Sequence, residues 1–181
     1  MSARWIAGLL EAIVVSTVLL VTGSSARARD TGQEQETLKG LVRVHVVVYV
    51  EGSANSVASP VLQKDVEHAL QQSGLRVISG AELKSDPNAG LLIVSVGSLE
   101  DKLSGPEQLA GYAYRTDLNL WQITTLSRAS WIRTYTATWQ APMRLGTCGP
   151  DAVAVEVGKS VGGQVDQFLA AYRAANPKKK Q

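Results

Sequence analysis

The sequence predicts an α+β fold, a two-layer sandwich with two helices packed on one face of a mixed sheet of about five strands. Three observations predict it: alternating valines at 41–51, two helical apolar periods at 60–73 and 151–174, and two long alternating runs at 109–125 and 129–140. The predicted order is β-α-β-β-β-β-α. At 181 residues, with 45% hydrophobic and 19% charged residues, the chain has the size and composition of one domain.

The first predicted strand, residues 41–51, is the element that organises the others. Valine occupies every second position from 42 to 50, so all five valines point to one face of a strand. The opposite face is mixed and carries Arg43, His45, Val47 and Tyr49. β-branched residues suit a pleated surface better than a helix, so we expect a core strand with one dry face.

A helix and a second strand follow the first strand. Ser59 can cap the helix, Pro60 occupies its first position, and Gly74 ends it. The short run at 75–78 then predicts a parallel strand joined by a crossover. The connection at 79–90 can contain one helical turn at 81–84. Residues 91–96, LLIVSV, are apolar on both faces, as expected of a strand in the middle of a sheet.

The second half of the chain predicts a hairpin and a terminal helix. Residues 98–108 are expected to form a loop. The short break at 126–128 indicates that the runs at 109–125 and 129–140 pair as a hairpin, in which Arg115 and Asp117 share a face as an exposed ion pair. Residues 141–151 are expected to form another loop. The helix at 151–174 contains Gly162 and Gly163, so we expect either a close approach or a bend there.

The first 28 residues have the layout of a secretory signal peptide. Arg4 precedes an apolar stretch at 5–21, and Ala26-Arg27-Ala28 is a small-x-small cleavage pattern. The alternative is a retained membrane anchor. That stretch is 17 residues long and contains Glu11, whereas a span needs about 20 apolar residues. No cysteine lies near the cut, so lipid attachment there is excluded.

The remaining chain is predicted to be a flexible lead-in at 29–38, a single domain at 39–177 and a basic tail at 178–181. Without residues 1–28 the chain has sixteen basic and fifteen acidic side chains, which does not favour a polyanion as partner. No basic stripe interleaved with aromatic residues predicts nucleic-acid binding. The three lysines of the tail form either a solvated end or a weak contact with an anionic lipid or polymer.

Three segments carry a resemblance to an uncharacterised group of small exported bacterial α/β proteins. They are PVLQKDVEHALQQSGLRVIS at 60–79, WIRTYTATWQ at 131–140 and VGGQVDQFLAAYRAANP at 161–177. The resemblance covers residues 39–177, and its motifs are apolar periods and helix ends. The element order is also similar to that of periplasmic accessory modules of envelope assembly and transport. Neither resemblance transfers a functional residue.

Few residues are candidates for chemistry. His45 and His68 lack the spacing of a zinc site, and no phosphate loop or GxSxG elbow is present, so no cofactor or metal is predicted. Cys148, the only cysteine, lies three residues before the predicted last helix and near Arg144, a setting that lowers a thiol pKa. It has no second cysteine or neighbouring histidine, so it is either a weak reactive thiol or a merely tolerated residue.

The hairpin supplies the candidate partner surface. By alternation, Trp131, Arg133, Tyr135 and Trp139 share one face, and this composition is typical of binding hot spots. That face either forms the helix-covered core, with Arg133 reaching out at its edge, or forms an exposed patch while Ile132 and its threonine neighbours point inward. The sequence leaves both arrangements open.

These observations favour an exported, non-enzymatic binding or accessory module of the bacterial envelope. The alternative is an enzyme with a dispersed site, in which Cys148 is the candidate thiol nucleophile. The predicted location is periplasmic or extracellular, or the inner membrane if residues 1–28 are retained as an anchor. The expected partner is an envelope protein or component, with membrane contact only through residues 1–28 and only if that segment is not cleaved. The oligomeric state stays open.

Overall fold

The fold was obtained as a computed structural model, which describes residues 32–53, 57–101 and 110–177. The predicted signal peptide at 1–28 and the basic tail at 178–181 lie outside these ranges. The described ranges contain the following helices and strands in chain order: α1 (Gly32–Glu36), β1 (Arg43–Gly52), α2 (Ser59–Gln72), β2 (Arg76–Val77), α3 (Gly80–Ser85), β3 (Gly90–Asp101), β4 (Gly111–Leu126), β5 (Ala129–Gln140), β6 (Arg144–Cys148) and α4 (Val153–Ala175).

The strands form one mixed sheet in the order β2-β1-β3-β4-β5, with β6 also paired to β4. Strand β1 is parallel to both β2 and β3, whereas β4 is antiparallel to β3, β5 and β6. The parallel pairing of β1 and β2 confirms the predicted crossover through α2. The central position of β3 explains its apolar character on both faces.

One face of the sheet forms the core with helices α2 and α4. Alternate residues of β1, including Val44 and Val46, are almost fully buried there, as are Leu92 on β3 and Leu118 on β4. From α4, Phe168 is fully buried in the same cluster. The predicted two-layer α+β sandwich is therefore confirmed, with both long helices on the valine side of the first strand.

Helix α3 packs at one corner of the opposite face. It confirms the helical turn expected near 81–84 and buries Leu83 in a small cluster with Ile78 and Ala89. Its start is a capping box, in which Ser79 accepts a hydrogen bond from the backbone N–H of Glu82 and the Glu82 carboxylate accepts one from that of Ser79. Farther along this face, Arg115 and Asp117 form the expected ion pair at 3.0 Å.

Two segments expected to be loops contain strand. Strand β3 runs on to Asp101, so residues 98–101 are paired with β4 instead of opening a loop. Residues 144–148, inside the predicted loop at 141–151, form β6 and pair with residues 112–116 of β4. The backbone hydrogen bonds of β4 compensate for the weak strand propensity of β6, which includes Gly146 beside the ring of Tyr114.

Within the expected lead-in at 29–38, residues 32–38 contain a helix and a turn, and residues 29–31 lie outside the described ranges. Residues 32–36 form α1, and Leu38 is fully buried in the main core. The side chain of Asn176, just after α4, accepts a hydrogen bond from the Gly40 N–H at 2.7 Å and donates one to the Leu38 carbonyl at 2.9 Å. These tertiary contacts order a polar segment that has no period of its own. Across the ranges that the structure describes, no helix has the length and apolar character needed to cross a membrane.

Candidate functional site

The hairpin of β4 and β5 extends beyond the rest of the sheet. The pairing of β3 with β4 begins at Leu91 and Trp121, so among the described strands β5 alone pairs with β4 from residue 122 to residue 126. We call residues 122–136 the hairpin end. Every residue in it except Ala129 is exposed or half-exposed. The hairpin end is therefore a two-stranded ribbon with no buried face.

An irregularity in β5 shapes the outermost part of the hairpin end. Leu126 pairs with Ala129 across a two-residue turn, while Thr125 already pairs with Arg133. Residues 130–132 therefore have no counterpart on β4 and form a bulge. Two apolar residues lie in this bulge: Trp131 is 81% exposed and Ile132 is 44% exposed.

A second irregularity turns Trp139 to the opposite side of the sheet. Leu120 pairs with Trp139 and Trp121 with Ala137, so β5 carries one extra residue at this point. Trp139 is 3% exposed, and its indole meets the ring of Phe168 edge-on at a centroid distance of 5.2 Å. The prediction that Trp131, Arg133, Tyr135 and Trp139 share one face is therefore wrong, because a bulge reverses the alternation.

Each arrangement left open for the hairpin holds for part of it. Trp139 belongs to the core, whereas Trp131 is exposed. Arg133 and Tyr135 pair with Thr125 and Ile123 on the face opposite α2 and α4. Ile123 is half-exposed there, and the other three are exposed. The threonines on the reverse side bond to one another, as in the 3.1 Å contact between the hydroxyl oxygens of Thr124 and Thr136, so they do not form an inward-facing core.

The hairpin lies in the longest acid-free part of the domain. Residues 118–150 contain no aspartate or glutamate, but they contain Arg128, Arg133 and Arg144. Arg128 and Arg133 are exposed at the hairpin end. A chain that is nearly neutral overall therefore has a local excess of positive charge at this surface. Overall composition could not reveal this, but a count of acidic residues along the sequence would have found it.

Cys148 has a different setting from the one expected. It is the last residue of β6, is half-buried, and pairs with Tyr112, while α4 begins only at Val153. Burial, followed by the charge of Glu156, raises the pKa of the Cys148 thiol above its ordinary value. The sequence predicted a lowered pKa for this thiol, whereas the structure raises it. Arg144, expected to help, has its guanidinium against Gly163 of α4.

The two histidines lie on separate elements. His45 on β1 has Nδ1 at 2.8 Å from the Ile78 carbonyl oxygen, so Nδ1 carries the proton in this contact. His68 on α2 contacts the Gln72 side chain at 2.7 Å, one turn farther along the helix. Across residues 32–53, 57–101 and 110–177, no group of three or more histidine, cysteine or carboxylate side chains is placed to hold a metal.

A cleft that the sequence did not predict lies where β1, β3, β4 and β6 meet. Its volume is about 430 Å³, and its lining includes the small residues Gly97 and Ala113 together with Leu99, Leu145 and Arg115. Leu99 and Leu145 are each 72% exposed. Small residues on neighbouring strands leave this depression in the open face of the sheet. The cation that lines it is already paired with Asp117, so the hairpin end is the stronger candidate site.

Comparison with known proteins gives only distant similarities. No family model and no curated protein matches the chain. Similar solved structures include the PelC dodecamer from Paraburkholderia phytofirmans, at 14% identity and TM-score 0.36, covering 72% of this chain and 88% of that chain. Hypothetical protein CT253 from Chlamydia trachomatis is 11% identical, at TM-score 0.41, with 74% and 99% covered. Rare lipoprotein B from Shewanella oneidensis is 9% identical, at TM-score 0.33, with 72% and 94% covered. Similarities this weak do not indicate function.

Proposed function

We propose that this protein is an exported, non-enzymatic binding module of the bacterial envelope and that it engages its partner through the hairpin end. The signal-peptide pattern at 1–28 supports export. The observation that carries the proposed binding role is Trp131, an aromatic side chain 81% exposed in a bulge. Exposed apolar patches, here Trp131 with Ile132, are typical of contact surfaces, and tryptophan is enriched among the residues that dominate binding energy.

The position of Trp131 supports a role in binding instead of folding. The main core lies between the two long helices and the even-numbered residues of β1, β3 and β4, and β5 contributes Trp139 to it. The bulge residues are not part of that core. Because exposed Arg133 lies beside Trp131 and Ile132, the hairpin end combines apolar area with charged hydrogen-bond donors.

The test is affinity capture of the tagged full chain from the envelope fraction of the organism that encodes it. A hairpin variant, Trp131→Ala/Arg133→Ala, is compared with a matched variant on helix α2, Val61→Ala/Lys64→Ala. Val61 is 57% exposed and Lys64 is exposed, so both variants remove one apolar and one cationic surface group. Thermal unfolding checks that both variants are folded.

We expect the hairpin variant to capture at least tenfold less partner than the unchanged chain does. The helix variant should capture as much as the unchanged chain. Equal capture of both protein and lipid by the two folded variants would remove the hairpin end from the binding surface. A chain found only in the cytoplasmic fraction would contradict the proposed export.

A further inference from the structure

We infer that the hairpin end docks on an anionic lipid bilayer, with Trp131 and Ile132 in the interfacial layer and Arg128 and Arg133 against lipid phosphates. This inference rests on the proposed function, because it names the partner of the same surface. It places a membrane contact in the domain itself, separate from the one that residues 1–28 would make if they were retained.

The segment 128–133, Arg-Ala-Ser-Trp-Ile-Arg, has the chemistry of a bilayer contact. Its two exposed apolar side chains are adjacent in the bulge, and an exposed arginine stands at each end. Indole rings favour the boundary between headgroups and acyl chains, because they are apolar with one N–H donor. Guanidinium groups bind phosphate oxygens with two hydrogen bonds at once and keep their charge at every physiological pH.

The charge distribution also favours an anionic surface. The acid-free stretch 118–150 leaves no carboxylate within the hairpin end to repel phosphate. The carboxylate just before it, on Asp117, is paired with Arg115 at 3.0 Å. Attraction of this kind acts within about a Debye length of the surface, so it would operate only at close approach.

The small apolar area argues for a bilayer over a folded protein. At the exposed fractions of Trp131, Ile132 and Tyr135, the three side chains offer roughly 250–400 Å² of contact area, given areas of about 150–250 Å² for each large side chain. A stable protein interface buries about 800 Å² on each partner, of which roughly 450 Å² is apolar, and it needs shape complementarity. A bilayer accepts a narrow aromatic wedge without a matching pocket, so the small area is sufficient there.

The experiment uses the full chain with Trp5→Phe, so that the only tryptophans are Trp121, Trp131 and Trp139. It is mixed with vesicles of phosphatidylglycerol and phosphatidylcholine in equal parts, or of phosphatidylcholine alone, with brominated acyl chains as quenchers. Subtracting the emission of the Trp131→Phe form isolates Trp131. Because quenching reports the position of Trp131 itself, vesicle binding through residues 1–28 or the lysine tail does not quench Trp131 unless the hairpin end also enters the bilayer.

We expect Trp131 emission to be quenched in the phosphatidylglycerol vesicles and unquenched in phosphatidylcholine. Arg128→Glu/Arg133→Glu should lower the ratio of quenched to unquenched Trp131 emission at least tenfold at a fixed lipid concentration, since each arginine contributes roughly fivefold to the docking of the hairpin end. The matched variant Lys64→Glu/Lys84→Glu, with the same charge change at two exposed helix positions, should change it less than twofold. Equal quenching in both vesicle types, or none, would overturn the lipid inference.

The two proposals fail in different ways. Loss of a captured envelope protein in the hairpin variant, without Trp131 quenching, would leave the binding module standing and overturn the lipid partner. Absence of both effects would overturn both proposals. Quenching that depends on the arginines supports both.

Discussion

Trp131 and Trp139 lie eight residues apart on strand β5 but are exposed by 81% and 3%, respectively. The extra residue between Ala137 and Trp139 inverts the side-chain direction, and the bulge at 130–132 places Trp131 outside the ladder. The same residue type therefore serves the core at one end of the strand and the surface at the other.

Alanine substitution should separate the two tryptophans by their effect on stability. Trp139→Ala removes the edge-on contact with Phe168 and leaves a cavity, so it should lower the free energy of unfolding by about 3–5 kcal/mol. Trp131→Ala should change it by no more than about 0.5 kcal/mol. Urea unfolding of both variants measures the difference. Equal losses would contradict the inversion of β5.

The thiol of Cys148 should be less reactive than a free cysteine at the same pH. Because burial and Glu156 raise its pKa, the reactive thiolate reaches half occupancy at a higher pH than in an unfolded chain. The pH dependence of iodoacetamide alkylation gives this midpoint. Glu156→Gln should lower the midpoint, whereas Asp166→Asn on the same helix should not. A midpoint well below about 8.5 would instead favour a catalytic thiol.

At the scale of elements, α4 is attached to β4 by polar contacts inside the core. The hydroxyl oxygens of Thr116 and Ser160 are 2.6 Å apart and buried. Gln164 is fully buried and donates to the carbonyl oxygens of Thr116 and Pro142 at 3.0 and 2.9 Å. Buried groups of this kind fix the register between helix and strand, because a shifted helix would leave them unpaired.

A double-mutant cycle tests the buried hydroxyl pair. Thr116→Val and Ser160→Ala should each cost about 1–3 kcal/mol of unfolding free energy, since each leaves one hydroxyl without its partner. The double variant should cost less than the sum of the two, by about 0.5 kcal/mol or more. Denaturant unfolding of all four proteins gives the coupling. Strictly additive losses would show that the two hydroxyls do not interact.

Gly162 and Gly111 differ in the space available for an added side chain. At Gly162 an added Cβ has no neighbour within 4 Å, whereas at Gly111 it would meet the carbonyl oxygen of Cys148 on β6. Gly162→Ala should therefore raise the free energy of unfolding by about 0.5–1 kcal/mol through helix propensity. Gly111→Ala should lower it by separating β6 from β4. Thermal unfolding compares them, and a loss at Gly162 would contradict this account of α4.

The local patterns predicted the regular elements, while long-range pairing decided the rest. The valine period of β1, Pro60 at the start of α2, and the apolar stripe of α4 are local signals, and all three elements are found. Ser59 was expected to cap α2, but its hydroxyl donates to the Val48 carbonyl at 2.8 Å. Strand β6 forms only because β4 offers hydrogen bonds, and such pairing leaves no local period.

The candidate site was predicted in its residue types but not in its geometry. An alternating pattern assumes that each residue of a strand pairs with one residue of its neighbour. On that assumption one face carries Trp131, Arg133, Tyr135 and Trp139. Two bulges break that assumption, and neither contains a glycine or proline that would mark it in the sequence. Exposure of Trp131 could not be predicted for the same reason.

At the scale of the whole molecule, the core and the proposed contact surface are separate. The core cluster closes between one sheet face and two helices, and the hairpin end extends past the last pairing of β3 with β4. The hairpin end has two exposed arginines, and residues 118–150 contain no acidic side chain. Positive charge is therefore concentrated there, although the formal net charge of the chain is only +2. Changes at the hairpin end should therefore alter binding while leaving the fold intact.

Site-specific photo-crosslinking in intact cells tests the central claim most directly. A benzophenone amino acid replaces Trp131 in one strain and Val61, exposed on helix α2, in another. We predict discrete crosslinked products, to lipid or protein of the envelope, from position 131 and none from position 61. Products from position 61 alone, or from neither position with both chains exported and folded, would contradict a binding role for the hairpin end.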